Sequence, residues 1–289
     1  MLAKLNVSND GKITIGEESV VAKTPVIPNG FEYLEGTVDT GYVIKNKTDG
    51  NEFVWVPVIA GTFTREGFGT DLSEYSEPYE EPGYTSEKAE YDAMVASVEK
   101  YGGFYIGRYE ASETSHGSGI AQSKGDKESW VDIAWCDTGM TGIGTNGVVG
   151  KARAVYPAKD ATTEGDAISM LPYGVQWDAT VRWIRDSKEE YKNITSDSSK
   201  FGNYVDSETD EGSRINTGSN PAYVLNNIYD MAGNVWEWTM EVYYSDYRVF
   251  RGGVCFQTGS NASVSDRFYD YPEYGNSVHC GFRLALYIK

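Results

Sequence analysis

The chain has 289 residues, 40% of them hydrophobic, and a net charge of −18. This length and apolar content allow a large core and argue against wholesale disorder. The strong negative field repels phosphate backbones, which argues against nucleic acid as a partner. No stretch approaches the roughly 20 apolar residues of a membrane span, so we expect no membrane insertion. The N-terminus lacks the apolar core of a signal peptide, which favours synthesis in the cytoplasm.

Aromatic residues and glycine dominate the remaining composition, with 22 Tyr, 7 Trp and 32 Gly. Few aliphatic residues accompany them, which favours a loop-rich fold that presents aromatic side chains at a surface. The three cysteines are Cys136, Cys255 and Cys280. Their number and spacing indicate neither a disulfide framework nor a zinc site.

Residues 1–30 are polar and predict an N-terminal attachment segment or linker, with a frayed end as the alternative. The turn signal Asn9-Asp10-Gly11 precedes the alternating residues 12–15, a pattern typical of a short hairpin. Pro28-Asn29-Gly30 then interrupts the chain.

From residue 31 the pattern predicts short antiparallel strands and two main helices. Strands are expected at 42–45 and 52–58, on either side of Asp49-Gly50, and at 104–110. Helices are expected at 87–100 and 173–186, where apolar residues recur at helical spacing. Residues 112–150 are rich in Ser, Gly and Thr and predict a long loop or an insertion. The sum is one α+β domain over residues 31–289.

Four motifs follow one another in the second half of the chain. They are Leu171-Pro172 with Trp177, Asn227-x-Tyr-Asp-Met-Ala-Gly-Asn-Val-Trp-Glu-Trp238, Arg251-Gly252-Gly253 and Gly281-Phe282-Arg283. Together they resemble the formylglycine-generating-enzyme (sulfatase-modifying factor) family, a branch of the C-type lectin fold. The resemblance covers about residues 31–289 and implies that loop-rich fold.

The motif residues also have physical roles of their own. Gly233 permits a turn that a side chain would block, and Trp236 and Trp238 can fill a core that is poor in leucine. Arg251 and Arg283 are expected to be buried ion-pair donors, because one guanidinium satisfies several acceptors.

The resemblance implies two copper-binding cysteines, four and nine residues after Gly253. Here Gln257 and Ala262 stand at those positions, and neither can supply the thiolate that this chemistry needs. We therefore expect no enzyme activity. The alternative is a copper oxidase whose rearranged cysteine pair is Cys255 and Cys280. Sulfoxide-synthase relatives bind iron through three histidines. This chain has only His116 and His279, so we do not expect that iron site here.

The resemblance also implies a calcium site. Asn234, the carbonyl of Val235 and Glu237 match it, and oxygen ligands in a loop suit calcium. The alternative is that the Asn234 side chain caps the loop backbone. A protein that only binds a ligand requires no cofactor, although calcium is possible.

The stretch Val254–Cys280, called the C-terminal segment below, has an unusual composition. It is dominated by Tyr, Ser, Asn, Asp, Gly and Phe and has no Lys, Met, Trp, Leu or Ile. Rigid aromatic side chains beside small polar ones are typical of antibody-like binding surfaces.

This arrangement resembles the variable proteins of diversity-generating retroelements, which have the same fold and a hypervariable C-terminal stretch. These systems mutate adenines, often in codons for Asn, and changes of the first two bases of such a codon can produce only certain amino acids. Every residue of the segment belongs to that set except Gln257 and Glu273. The resemblance implies a variable region over about residues 248–289, with Thr258-Gly259, Ala262-Ser263, Arg267 and Pro272 as fixed scaffold. The expected variable, ligand-facing positions are Val254, Cys255, Phe256, Ser260, Asn261, Val264, Asp266, Phe268, Tyr269, Asp270, Tyr271, Asn276, Ser277, Val278, His279 and Cys280.

The function expected from these features is recognition of a receptor by a non-enzymatic, ligand-binding protein. We expect it to be phage or prophage encoded, displayed on a virion or a surface, and to bind a protein or glycan on a target cell or virion. The alternatives are the copper oxidase, a calcium-dependent lectin, and an inactive family member with an ordinary polar loop.

Overall fold

The structure, a computed structural model, describes residues 3–7, 13–17, 24–79, 85–136, 145–207, 212–245, 247–275 and 277–289. Two strands near the N-terminus, β1 (Ala3–Val7) and β2 (Ile13–Glu17), pair antiparallel, which confirms the predicted hairpin. Its turn signal, Asn9-Asp10-Gly11, lies outside the described residues.

A six-stranded antiparallel sheet forms the main scaffold. Its strand order is β10-β17-β7-β5-β4-β3. The strands are β3 (Phe31–Glu35), β4 (Tyr42–Asn46), β5 (Glu52–Pro57), β7 (Gly103–Gly107), β10 (Ala167–Met170) and β17 (Ala285–Ile288). The predicted strands around Asp49-Gly50 are confirmed as β4 and β5. The final strand β17 pairs with both β10 and β7, so the end of the chain lies inside this sheet.

A second sheet is built around one long strand, β13. Its order is β15-β14-β13-β16, and β6 also pairs with β13. The strands are β6 (Tyr75–Ser76), β13 (Trp236–Tyr243), β14 (Tyr247–Arg251), β15 (Phe268–Asp270) and β16 (Cys280–Phe282). The pairing of β13 with β16 is parallel, whereas the other pairings in this sheet are antiparallel. Two short ladders complete the pairing: β8 (Ser112–Glu113) with β9 (Ala121–Gln122), and β11 (Val224–Leu225) with β12 (Ile228–Tyr229).

Both predicted helices are confirmed, as α1 (Thr85–Tyr101) and α3 (Gly174–Ser187). A third helix in the described part of the chain, α2 (Val148–Val155), begins inside the stretch predicted as loop. The prediction was wrong there because Gly and Thr around it mask a short apolar run, whose Val148, Val149 and Ala152 are buried. No helix in the described ranges is long and apolar enough to cross a membrane.

Tryptophans fill part of the interior, as the shortage of leucine predicted, and several arginines are buried there too. Trp236 and Trp238 are buried, which confirms their predicted core role, and Trp177 is buried as well. Gly233 has φ +76, and a Cβ there would lie 2.3 Å from the carbonyl oxygen of Asn203. The predicted need for glycine at this turn is therefore confirmed.

Candidate functional site

The C-terminal segment is anchored at both ends on the same strand. Arg251, just before the segment, lies opposite Glu237 in the β13–β14 ladder. Gly281, just after the segment, lies opposite Glu237 in the β13–β16 ladder. The segment is thus a long excursion that leaves one side of β13 and returns to the other.

A buried cluster of charges fixes the first part of the segment. Arg251 and Arg267 both bind the carboxylates of Asp178 and Glu241, at 2.7–3.0 Å. Arg251 also donates to the carbonyl oxygens of Ser265 and Asp266. Burial alone would raise the pKa of Glu241, but Arg251, Arg267 and Arg65 lower it below its ordinary value. The prediction that Arg251 is a buried ion-pair donor is confirmed.

Arg283 fixes the other end of the segment. Its Nη2 binds Glu237 at 2.7 Å and also donates to the carbonyl oxygens of Tyr229 and Asp230. Its Nη1 donates to the carbonyl oxygen of Gly107 in the main sheet. The predicted ion-pair role of Arg283 is confirmed, and this one side chain links the two sheets.

The residues expected to bind calcium have other partners. Both carboxylate oxygens of Glu237 accept hydrogen bonds from Arg283. The Asn234 Oδ1 atom accepts from the Ile215 amide at 3.0 Å and from Asn203 at 3.2 Å. These contacts fit the alternative of a side chain that caps loop backbone, and the residues present do not fit a calcium site. In the described ranges, no group of three or more His, Cys, Asp or Glu side chains is arranged to hold a metal.

Two further carboxyl groups, those of Glu110 and Asp230, are buried near Asn234 and Glu237. Glu110 accepts from Asn234 Nδ2 at 2.7 Å, and Asp230 Oδ2 accepts from Thr217 and from the Gly218 amide. Asp230 Oδ1 has no hydrogen-bond partner among the described residues. Burial raises the pKa of Asp230 to about 6 and that of Glu110 well above its ordinary value.

Seven of the expected ligand-facing residues are exposed at the surface. They are Phe256, Ser260, Asn261, Phe268, Tyr269, Tyr271 and Val278. Two of these rings each contact a neighbouring ring: Phe256 lies 4.6 Å from His279, and Phe268 lies 4.4 Å from Trp236. The Trp236 amide donates to the carbonyl oxygen of His279, which joins the two pairs.

Four of the expected positions are buried, so the prediction that they face a ligand was wrong. They are Val254, Cys255, Val264 and Cys280. The physical reason is that the loop after Gly253 folds back onto the core. The Trp177 indole donates to the Val264 carbonyl oxygen at 2.9 Å, and the Val264 amide donates to Ser198 Oγ.

The remaining expected positions lie between these extremes. Asp270, Ser277 and His279 are half-buried, and Asn276 lies outside the described residues. Asp266 is half-buried and its carboxylate accepts from the Ser263 amide at 2.7 Å, so it helps to hold the loop. Among the expected scaffold residues, Arg267 and Pro272 are buried.

The two cysteines of the segment are buried thiols rather than exposed thiolates. Burial raises the pKa of Cys255 and raises that of Cys280 to about 11. Both thiols therefore stay protonated near neutral pH. Ala262 is buried. Its carbonyl oxygen lies close to Gly253, and a Cβ added at Gly253 would be only 2.1 Å from that oxygen.

Sequence reasoning missed a group of tyrosines beside the segment. Tyr75, Tyr243, Tyr244 and Tyr247 contact one another and the segment's own Tyr269 and Tyr271. The run Tyr243-Tyr244-Ser-Asp-Tyr247 was the available signal, since three tyrosines around a turn seldom all fit in a core.

The α+β architecture, with a long excursion anchored on one tryptophan-rich strand, defines a C-type lectin-like domain of the formylglycine-generating type. The chain belongs to the family described as the sulfatase-modifying factor enzyme 1-like domain, whose model matches residues 43–288. The predicted fold and the family resemblance are both confirmed.

The solved structures that are similar to this chain include the following two. One is variable protein 1 of Treponema denticola, with 17% identity and a TM-score of 0.37 over 63% of this chain and 84% of that protein. The other is PvdO from Pseudomonas aeruginosa, with 16% identity and a TM-score of 0.47 over 85% of this chain and 97% of that protein. No curated protein sequence matches this chain.

Proposed function

We propose that this protein is a non-enzymatic binding protein, whose C-terminal segment recognises a protein or glycan on a target cell or virion. The observation that carries the proposal is the exposure of Phe256, Phe268, Tyr269 and Tyr271 within the C-terminal segment. Large aromatic side chains supply contact area at low entropic cost, which is why they dominate binding surfaces.

Rigid support below this surface favours the same function. Buried ion pairs of Arg251, Arg267 and Arg283 hold the backbone that carries the exposed residues. A binding surface gains affinity when its groups are ordered before the ligand arrives. Side chains at the surface can then change without disturbing the interactions that maintain the fold.

The burial of the two thiols in the C-terminal segment argues against the copper-oxidase alternative. Soft copper chemistry requires thiolates, but Cys255 and Cys280 are buried and their pKa values are raised. Gln257 and Ala262, which stand where the family resemblance implies cysteines, have no thiol. A lectin that depends on calcium at Glu237 is disfavoured because Arg283 occupies both oxygens of that carboxylate.

The proposal includes the origin of the surface. The exposed positions are diversified by a retroelement, the gene is carried by a phage or prophage, and residues 1–30 attach the protein to a virion or cell surface. The support is compositional: only Gln257 and Glu273 of the segment lie outside the residues that adenine changes in Asn-type codons produce.

Binding to whole cells tests the function. The fluorescently labelled chain is incubated with a panel of intact bacterial strains and cell staining is measured by flow cytometry. We expect staining of a subset of strains, and its loss in Phe268→Ser and Tyr271→Ser with the thermal midpoint nearly unchanged. Tyr33→Ser is the matched control, because Tyr33 is an exposed tyrosine on β3, outside the proposed surface. Staining that survives both replacements contradicts the proposal.

A further inference from the structure

Tyrosines from three separate stretches form one surface beside the C-terminal segment. Strand pairing brings them together, since Tyr75 lies opposite Tyr243 and Tyr243 lies opposite Tyr247. This tyrosine surface consists of Tyr75, Tyr243, Tyr244, Tyr247, Tyr269, Tyr271 and Tyr274. Four of its members come from outside the segment.

The rings hold one another in place. Tyr243 and Tyr269 are stacked, with centroids 3.9 Å apart and planes 27° apart. Tyr247 and Tyr271 have centroids 4.6 Å apart, and their hydroxyl groups are 3.1 Å apart. The outer parts of the rings remain open to solvent, with Tyr244 53% and Tyr274 58% exposed. A ligand therefore meets a preformed aromatic surface.

The charged residues within the stretches that carry these rings are all acidic. The stretches 71–76, 243–247 and 268–275 contain no Lys or Arg, but they include Asp71, Glu74, Asp270 and Glu273. The Tyr244 amide donates to the Glu74 carbonyl oxygen at 2.9 Å, which places this acidic residue at the edge of the rings. Glu74 and Glu273 are exposed. Together the acidic side chains and the electron-rich ring faces attract cations.

One buried cationic side chain already lies against a ring of the tyrosine surface. The guanidinium of buried Arg267 lies 5.7 Å from the centre of the Tyr75 ring, on the protein side. The outer side of the tyrosine surface has the same aromatic chemistry together with acidic neighbours. Neutral sugars would stack on the rings without using those acidic side chains.

We infer that the tyrosine surface binds a Lys- or Arg-rich segment of a protein partner, by cation–π contacts and by attraction to Glu74 and Glu273. This inference rests on the proposed binding function and names the chemistry of its partner. It also extends the contact area beyond the C-terminal segment, so that fixed residues such as Tyr243 and Tyr247 contribute alongside diversified ones.

Selection from an unbiased peptide library tests this inference. The full chain is immobilised, random 12-residue peptides displayed on phage are selected, and the affinities of synthetic copies are measured by fluorescence anisotropy. We expect enrichment of Lys and Arg and weaker binding at higher salt. Tyr247→Ser and Tyr274→Ser should each weaken binding by roughly 10-fold, of the order expected for a cation–π contact and its contact area.

Matched controls separate this surface from general attraction to an acidic protein. Glu74→Gln should weaken binding, whereas Glu32→Gln and Tyr33→Ser, exposed on β3, should leave it unchanged. Equal effects of Glu74→Gln and Glu32→Gln would overturn the inference, since binding would then follow net charge alone.

The remaining outcomes distinguish this inference from the proposed function. Selected peptides without Lys or Arg that still require Phe268 would overturn the inference and leave the binding function intact. The same holds if no peptide is selected but a glycan array is bound through Phe268. Peptides whose binding is insensitive to Phe268→Ser and Tyr269→Ser and also to Tyr247→Ser and Tyr274→Ser would overturn both.

Discussion

Arg283 and Asp230 show how individual buried charges determine the shape of the site. Arg283 is fully buried and joins Glu237 of β13 to backbone carbonyl groups of the main sheet. Asp230 lies close by, with one oxygen bonded and the other without a partner among the described residues. The Arg283 guanidinium therefore interacts electrostatically with the buried carboxyl groups of Glu110 and Asp230, in addition to its ion pair with Glu237.

Replacing Arg283 with methionine should destabilise the protein by about 3–5 kcal/mol, because Glu237 would stay buried without its partner. Urea unfolding followed by tryptophan fluorescence measures this loss. The matched control is Arg214→Met, since Arg214 is partly exposed and pairs with the exposed Glu128. That change should cost only about 1 kcal/mol or less. Equal losses for the two variants would show that Arg283 does not hold the sheets together.

Asp230→Asn should change how stability depends on pH. Burial raises the pKa of Asp230 to about 6, so the folded chain keeps a proton that the unfolded chain releases near pH 4. The contribution of this group to stability is full at low pH and is lost as the pH rises through about 6. The free energy of unfolding of the variant, minus that of the natural chain, should therefore increase from pH 4 to pH 6. A difference that is constant with pH contradicts this assignment.

At the scale of single elements, the C-terminal segment consists of buried and exposed positions in close alternation. Phe256 follows buried Cys255, and exposed Phe268 follows buried Arg267. In the described part of the segment, exposed residues therefore occur only singly or in pairs. Its backbone packs on the core while selected side chains point outward, which is how a loop can tolerate variation without losing its shape.

Substitutions in the segment should divide by burial. Phe256→Ser should lower the free energy of unfolding by less than about 1 kcal/mol, because nearly half of that side chain is exposed. Val264→Ser should cost at least about 2 kcal/mol, since it leaves a cavity and buries a hydroxyl. Chemical denaturation of the two variants checks this difference. A similar cost for both would mean that Phe256 belongs to the core.

The sequence allowed several elements to be predicted because their signals are local. Helices α1 and α3 have strong periodicity, and the turn at Asp49-Gly50 separates two apolar runs. Residue type alone could not separate Val264 from Phe256, because burial there depends on the contact of Trp177 with the Val264 carbonyl group. The tyrosine surface was missed for a related reason: strand pairing brings Tyr75 beside Tyr243, across more than 160 residues of chain.

At the scale of the whole molecule, the family fold persists while the thiols of the segment are buried. Incubation with copper and a thiol substrate should give no oxidase turnover above that of free copper, as measured by oxygen uptake. Cys255→Ala should leave this background unchanged, because the buried thiol of Cys255 stays protonated near neutral pH. Turnover that requires Cys255 would establish the oxidase alternative and overturn the proposed function.

The molecule as a whole combines a charge-paired interior with exposed aromatic side chains on the C-terminal segment. Arg251 and Arg283 hold the two ends of the C-terminal segment to Glu241 and Glu237 of β13, and β17 lies in the main sheet. Function is therefore expected to change through exposed side chains while the scaffold stays the same. A retroelement that rewrites codons of the segment would act on such an arrangement.

Sequencing the DNA around the gene tests this account most directly. We predict a nearby second copy of the stretch that encodes Val254–Cys280, differing from it at adenines, and a reverse-transcriptase gene beside it. The differing codons should include those of exposed Phe256, Phe268, Tyr269 and Tyr271. A locus with neither the second copy nor the reverse transcriptase would contradict the claim that this surface is diversified for binding.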